Sequence, residues 1–556
     1  MTRHLRARSA LTCAAIAAVA AAGLTACKGT ANNTKSSSTG GGGTLTIQGD
    51  AGNPTLVKNF NPLATTQLGG TRLIYEPLEI PSPIDGSYTP FLATGFKFSN
   101  PTTLVYTIRP GVKWSDGKDF SAADVVFTFQ LLRKFPALDT TGVWAQLSGV
   151  RASGTEVTVT FKAPNVPFAN TVAQVPIVPE HVWSTIADPA KYINDKPVGT
   201  GPFTLDKYAD TQYQLKKNPS YWQAAKIAPD EVVFPAQSSN QSTNQLDVTS
   251  GKFDWSYNFL PDVKKTYVNR DPKHNIYWFP PGGVIGLFLN LTKAPYNDVN
   301  FRKGVSLALN RNAIATKAVN GYTAGASQSG VILPNLEKYL DPSLPNKGNV
   351  TQDLSAAKQA FAQAGFQTQG NKLVGKDGKQ VSMSIVLPGN YSDWVAASKE
   401  LTSQLSAAGI KVSLELPQAA QYQQQIQGGS FDAAFGGFGG TGNPYTDFNN
   451  ALNSSFAAPL KTPTTNNFER FKDPAVDKAL ATLAAATDQA AQLDASHKLE
   501  QVMYTQVPVV LMYYGGSWGL FSTKTYTGWP SADNPYTLPT SYNNSLLVVV
   551  SRLTKA

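Results

Sequence analysis

With 556 residues, of which 42% are apolar, the chain can build two or three domains with cores of their own, which excludes a single small module and a disordered polymer. A formal net charge of +10 comes without a Lys/Arg-rich run and without a zinc-finger or RNP-like motif, so nucleic-acid binding has no support. Both of its two cysteines, Cys13 and Cys27, lie near the N terminus, which excludes a disulfide scaffold and a cysteine enzyme.

The first residues, MTRHLRARSALTCAAIAAVAAAGLTACKG, place Arg3, Arg6 and Arg8 ahead of an Ala-rich apolar stretch too short to span a bilayer. That order is an export leader. Residues 24–27 (LTAC) resemble a bacterial lipobox, which implies cleavage before Cys27 and a diacylglycerol thioether on its sulfur. Residues 1–26 are therefore expected to be removed, leaving Cys27 as a lipid anchor on the outer face of the cell membrane. Residues 27–43 (CKGTANNTKSSSTGGGG) read as a polar, flexible tether.

From residue 44 onward alternating strands mix with capped helices, an α/β pattern. Leu45 and Ile47 begin one strand, Leu104, Tyr106 and Ile108 alternate in a second, and Val157, Val159 and Phe161 in a third. Ser121 and Asp124 form a capping box before Val125, Phe129 and Leu132, which share one helix face. Asp298 and Asp353 read as N-caps, and Gly365 and Gly409 as helix ends that need a positive φ. Ile410, Val412, Leu414 and Leu416 alternate as a strand, and residues 473–507 are expected to hold two helices. No fixed repeat is present, which excludes solenoids and propellers.

The segment LVYTIRPGVKWSDGKDFSAADVVFTFQLL (residues 104–132) resembles the family 5 extracellular solute-binding proteins, the peptide, nickel and oligosaccharide receptors of ABC importers. Further similar motifs follow the family's order: IYEPL (74–78), VPEHVW (178–183), PVGTGPF (197–203), NPSYW (218–222), SGKFDW (250–255), DVNFRKGVSLALNRNAI (298–314) and AAK to AGF (356–366). Most have a structural reading of their own, as turns, caps and anchors. The resemblance implies a periplasmic-binding-protein-like type II fold, two lobes with an extra subdomain in the first. Residues 44–80, 201–286 and 509–556 would build the first subdomain, 81–200 the second, and 287–508 the opposing lobe. The crossings would lie near residues 287–290 and 509–513. Closure of the lobes would trap a small solute for an ABC permease and its ATPase. No cofactor is implied, and a monomer is expected.

Peptide-binding members hold the ligand's ammonium with an aspartate that follows a G-x-F-D element. Here that element is GSFD (429–432), the next stretch reads GGFGGTGNPYTD (436–447), and Thr441 aligns with the aspartate. A hydroxyl offsets desolvation of an ammonium less well than a carboxylate does; Asp447 is the substitute if the loop is shifted. GWPSADNPY (528–536) is similar to a segment of the β-gluco-oligosaccharide-binding branch, where rings stack on pyranoses and amides meet hydroxyls. The candidate ligand-binding residues are Trp255, Trp394, Phe438, Thr441, Asn443, Tyr445, Asp447, Trp518, Trp529, Asn534 and Tyr536, with Trp529 and Asn443 first. The ligand leans to a β-linked oligosaccharide, with an oligopeptide as the alternative.

A secreted glycoside hydrolase is the third reading, with Asp116 and Asp119, or Asp432 and Asp447, as a carboxylate pair. Nothing orients either pair, and no G-x-S-x-G or H-E-x-x-H motif is present, so no catalytic residue is assigned. His181, His274 and His497 lack ligand spacing, so no metal site is expected.

Overall fold

The computed structural model describes residues 42–556 apart from residue 51. The leader, Cys27 and residues 28–41 of the tether lie outside the described residues.

The strand Thr103–Ile108 pairs antiparallel on both sides, with Ala93–Asn100 and Glu156–Phe161, and Leu147–Ser153 completes a four-stranded sheet. The helix Ala122–Lys134 covers it because Val125, Phe129 and Leu132 are all buried on one face. The expected capping box is present: Ser121 Oγ accepts from the Ala123 amide at 3.2 Å, and the Asp124 carboxylate accepts from the Ser121 amide at 2.9 Å. Arg133 and Lys134 complement the negative end of the helix dipole.

A second sheet brings distant segments together. Thr44–Thr46 runs parallel to Glu231–Pro235, followed by Gln212–Lys217 and Phe203–Ala209. Beside it lies a small antiparallel sheet of Trp255–Tyr257, Gly519–Ser522 and Asn275–Trp278. Ile47 bridges to Trp255, and the six residues of the C-terminal helix Ser545–Val550 are all buried in the same core. The first lobe is thus sealed by both ends of the folded chain.

The other lobe is built on a five-stranded sheet in the order Lys411–Glu415, Ser382–Val386, Ala433–Phe438, Pro281–Leu289, Val509–Gly516. The first three are parallel, joined through the helices Ser392–Ala407 and Ala419–Gly428; the last two are antiparallel. Side chains alternate between two cores along the Pro281–Leu289 strand. Leu287 and Leu289 join one with Phe301, Phe361 and Leu401, while Val284 and Phe288 join the other with Leu480, Leu499 and Met503. A sheet buried on both faces reads as a near-continuous apolar run, and residues 509–513 are fully buried.

Asp298 and Asp353 cap helices through their carboxylates, Gly365 and Gly409 have φ of +88° and +91°, and residues 474–506 hold two helices, Pro474–Ala485 and Gln489–Gln506. Two buried arginines hold the start of the Val509 strand. Arg302 donates to the carbonyls of Gln506 and Val507, and Arg311 Nε to that of Leu511 at 2.7 Å. Burial lowers both guanidinium groups to about 10, so each stays charged at neutral pH while satisfied by main-chain oxygens.

The two segments expected as crossings are neighbours: Leu287 and Phe288 pair antiparallel with Val510 and Val509 in the five-stranded sheet. The same two strands lead directly from Asn275–Trp278 and into Gly519–Ser522, which belong to the small antiparallel sheet of the first lobe.

Candidate ligand-binding site

Where the two crossing strands meet the strand Ala433–Phe438, all three end in glycines: Gly282 and Gly283, Gly439 and Gly440, Gly515 and Gly516. Without side chains they leave a cavity of about 320 Å³, walled by Tyr257, Phe438, Ser517, Thr540, Tyr542 and Asn543. Its lining includes no carboxylate, ammonium or guanidinium group. Tyr257 and Tyr542 meet edge to face with centroids 5.1 Å apart, and Tyr542 is 45% exposed, which leaves its ring available. Burial pushes the Tyr257 phenol well above its ordinary value, so it stays neutral and can donate a hydrogen bond.

The loop after the Ala433–Phe438 strand forms the adjoining wall and touches the first lobe. Gly440 has φ +94°, and a Cβ there would lie 2.3 Å from the Gly282 carbonyl oxygen. Gly442 has φ +75°, and its Cβ would lie 2.5 Å from Pro83 Cα. Only glycine fits both the left-handed backbone and the close approach. Lys338 adds a second link by donating to the Asp85 carbonyl. The lobes therefore touch across the mouth of the cleft.

Five of the expected residues come together on this loop. Phe438 lines both the glycine-floored cavity and a smaller one of about 130 Å³, which Thr441 and Asp447 also line. Thr441 Oγ1 donates to Asp447 Oδ1 at 2.7 Å, and the Thr441 amide donates to the same oxygen at 3.2 Å. Burial pushes the Asp447 carboxyl up to about 6 despite these donors. Asp447 thus braces the loop. Asn443 caps the helix Pro444–Leu452, accepting from the Tyr445 amide at 3.0 Å. Asn443 and Tyr445 line a third cavity, about 250 Å³, which reaches Gly86, Tyr88 and Asn170 of the first lobe.

Of the other six, Trp518 lies against this place, its ring 2.3 Å from where a Cβ on Gly516 would sit, and five are not brought to it. Trp255 and Trp529 are 0% and 4% exposed and pack on each other and on Phe521. Their indole N–H groups donate to the Pro539 carbonyl and to those of Ser522 and Tyr526. Burial with a satisfied N–H is the core use of tryptophan. Trp394 packs with Tyr391, Tyr422 and Phe435, and Trp518 with Phe259 and Phe279. Asn534 is exposed in a turn closed by Ser531, and Tyr536 donates to the Gly528 carbonyl beneath the Arg552 guanidinium. Tyr257, Tyr542 and Asn543 line the cavity without being among the residues expected from sequence; the doubled glycines at three strand ends are the sequence signal of that open space.

The carboxylates weighed for hydrolysis are otherwise engaged: Asp116 with His181 at 2.7 Å, Asp119 with Lys113 at 2.6 Å and Asp432 with Lys293 at 3.0 Å. Among the described residues no three His, Cys, Asp or Glu side chains gather as a metal site, and no helix is long and apolar enough to cross a membrane.

Two lobes joined by paired strands, with a cavity at the junction, define a two-lobed binding protein. Residues 87–459 match the family described as bacterial extracellular solute-binding proteins, family 5 middle, and the chain belongs to this family. Its members are substrate-binding receptors of ABC importers, working with a permease and an ATPase, and are not enzymes. The chain is 25% identical over 508 residues to the periplasmic oligopeptide-binding protein OppA of Salmonella typhimurium, covering 84% of this chain and 86% of that one. It is 25% identical over 417 residues to protein XP55 of Streptomyces lividans, covering 72% and 71%. The crystal structure of a periplasmic oligopeptide-binding protein from Thermotoga maritima superposes with a TM-score of 0.83 at 25% identity, over 93% of this chain and 99% of that one. The same protein with mannohexaose bound gives 0.74, over 92% and 98%.

Proposed function

We propose that this receptor captures a neutral, β-linked oligosaccharide in the glycine-floored cavity and delivers it to its permease. The observation that carries the reading is the absence of any charged side chain from that lining, which instead offers tyrosine rings, hydroxyls, an amide and main-chain groups. A peptide brings an ammonium and a carboxylate, each costly to desolvate without a charged partner. A sugar brings C–H faces for rings and hydroxyls for neutral partners. Asp447, on the adjoining wall, is spent on the loop. The mannohexaose complex of the Thermotoga maritima protein supports the same class of ligand, whereas the likeness to OppA favours the oligopeptide alternative.

In this reading the ligand-contacting residues are Tyr257, Phe438, Thr540, Tyr542 and Asn543, with Thr441, Asn443 and Tyr445 on the closing loop. The mature chain acts as a monomer held by lipid on Cys27, which keeps the trap near its permease and raises its local concentration there. Residues 81–200 form the second subdomain of the first lobe, and residues 287–508 the opposing lobe.

Thermal-shift titration with cello-, laminari- and manno-oligosaccharides against di- to pentapeptides tests the ligand. Sugars should raise the melting temperature as the site fills, and peptides should not. The opposite ranking makes the chain a peptide receptor. Labelling with radioactive palmitate, lost in Cys27→Ser, tests the anchor.

A further inference from the structure

A different cavity, wholly within the first lobe, holds a charged group that a neutral-sugar trap does not use. It measures about 340 Å³ and lies between the helix end at Leu132 and the turn around Arg72. Arg72 lines it and makes no hydrogen bond or ion pair with any described residue; its closest electrostatic influences are Asp50 and Tyr213. Both Asp50 oxygens are occupied, by the Gly69 amide at 2.8 Å and the Tyr213 hydroxyl at 2.8 Å. A guanidinium carries five donors in a planar fork that matches a carboxylate, and leaving them unused in a desolvated place is costly. The rest of the polar lining is neutral, with the Thr140, Thr141 and Thr171 hydroxyls and the Gln67, Gln174 and Asn544 amides among it.

We propose that this cavity is a second subsite, in which Arg72 grips the carboxylate of a sugar acid while the Thr140, Thr141 and Thr171 hydroxyls of the lining take its hydroxyl groups. The combination fits a singly charged, hydroxylated ligand. Arg72 is the one charged side chain of the lining, and the Asp50 carboxyl behind it works against a ligand that carries more than one negative charge. The threonine hydroxyls of the lining both donate and accept, which suits a ligand whose own groups are hydroxyls. Asn544 ties the cavity to the main cleft, because Tyr542 and Asn543, immediately before it, line the glycine-floored space. The acid could arrive as the end residue of a transported oligosaccharide or as a free sugar acid. The chemistry at Arg72 is the same, and it does not depend on which solute fills the main cavity.

Titration of the full mature chain with glucuronate and with glucose, by calorimetry, tests the subsite. Glucuronate should bind and glucose should not, and Arg72→Gln should weaken glucuronate at least tenfold while leaving the best neutral oligosaccharide within twofold. Arg72→Lys, which keeps the charge and loses the fork, should fall between them and guards against a folding defect in the glutamine variant. Equal behaviour of glucuronate and glucose, or an unchanged glucuronate affinity in Arg72→Gln, overturns the proposal. Failure of every neutral oligosaccharide to bind, with glucuronate still sensitive to Arg72, overturns instead the neutral-sugar reading of the main cavity. An acidic disaccharide distinguishes the two sources: competition with the neutral oligosaccharide assigns the acid to the transported chain, and simultaneous binding assigns it to a separate solute.

Discussion

Two places in the molecule compete for the role of sugar platform, and they are built in opposite ways. Around Trp529 the chain concentrates aromatic rings, and the rings fill one another's space; where the three glycine-ended strands converge it removes side chains, and space is what remains. Aromatic residues supply binding energy only through a face that a ligand can reach, and Trp255 and Trp529 have spent theirs on the core. Tyr542, an unremarkable residue in sequence, keeps a reachable ring because its neighbours are small.

The largest expected effect separates these uses directly. Trp529→Ala should cost about 3–5 kcal/mol of folding stability, the range for truncating a large buried aromatic, and should leave ligand affinity of the folded fraction unchanged. Urea denaturation in parallel with calorimetry measures both. Unchanged stability with lost affinity would return Trp529 to the binding site.

The contrast also explains what was legible beforehand. Caps at Ser121, Asp298 and Asp353 and the split of residues 473–507 into two helices depend on neighbours within a few positions, and the structure has them. Phe438 and the loop carrying Thr441 and Asn443 were legible through the G-x-F-D element at residues 429–432, a family resemblance and not a local physical signal. Burial of Trp255 and Trp529 was not, since it is decided by Ile47, Phe521 and Pro539, segments hundreds of residues apart in the case of Ile47. Tyr257 and Tyr542 face each other for the same non-local reason, with nothing near either in sequence to announce it.

An intermediate effect concerns Asp447 and asks whether the cleft is neutral in practice. Its folded carboxyl keeps a proton up to about pH 6, whereas an unfolded aspartate releases it near 3.9. Between those values the native state binds more protons, so this group makes stability fall as pH rises through the window, by up to about 3 kcal/mol in total, and adds no further slope above it. Asp447→Asn keeps an oxygen for Thr441 and removes the titration, so the variant should gain on the wild type between pH 4 and pH 7. Urea midpoints at the two ends read the gain. A pH-independent difference shows an aspartate that ionises freely. Loss of peptide binding in the variant makes it an ammonium anchor and turns the ligand assignment toward peptides.

The smallest expected effect lies at the contact between lobes. Any L-residue at position 442 pays about 1–2 kcal/mol for a left-handed backbone whether the cleft is open or closed. The approach of its Cβ to Pro83 at 2.5 Å exists only while the lobes touch. Gly442→Ala should therefore lower the melting temperature of the free protein by a few degrees and weaken ligand about tenfold, roughly 1.4 kcal/mol, with the loss in a faster off-rate because the closed state is the one strained. Stopped-flow displacement resolves the rate. An affinity loss carried wholly by a slower on-rate would mean that position 442 governs entry of the ligand, and that its closeness to Pro83 does not hold the cleft shut.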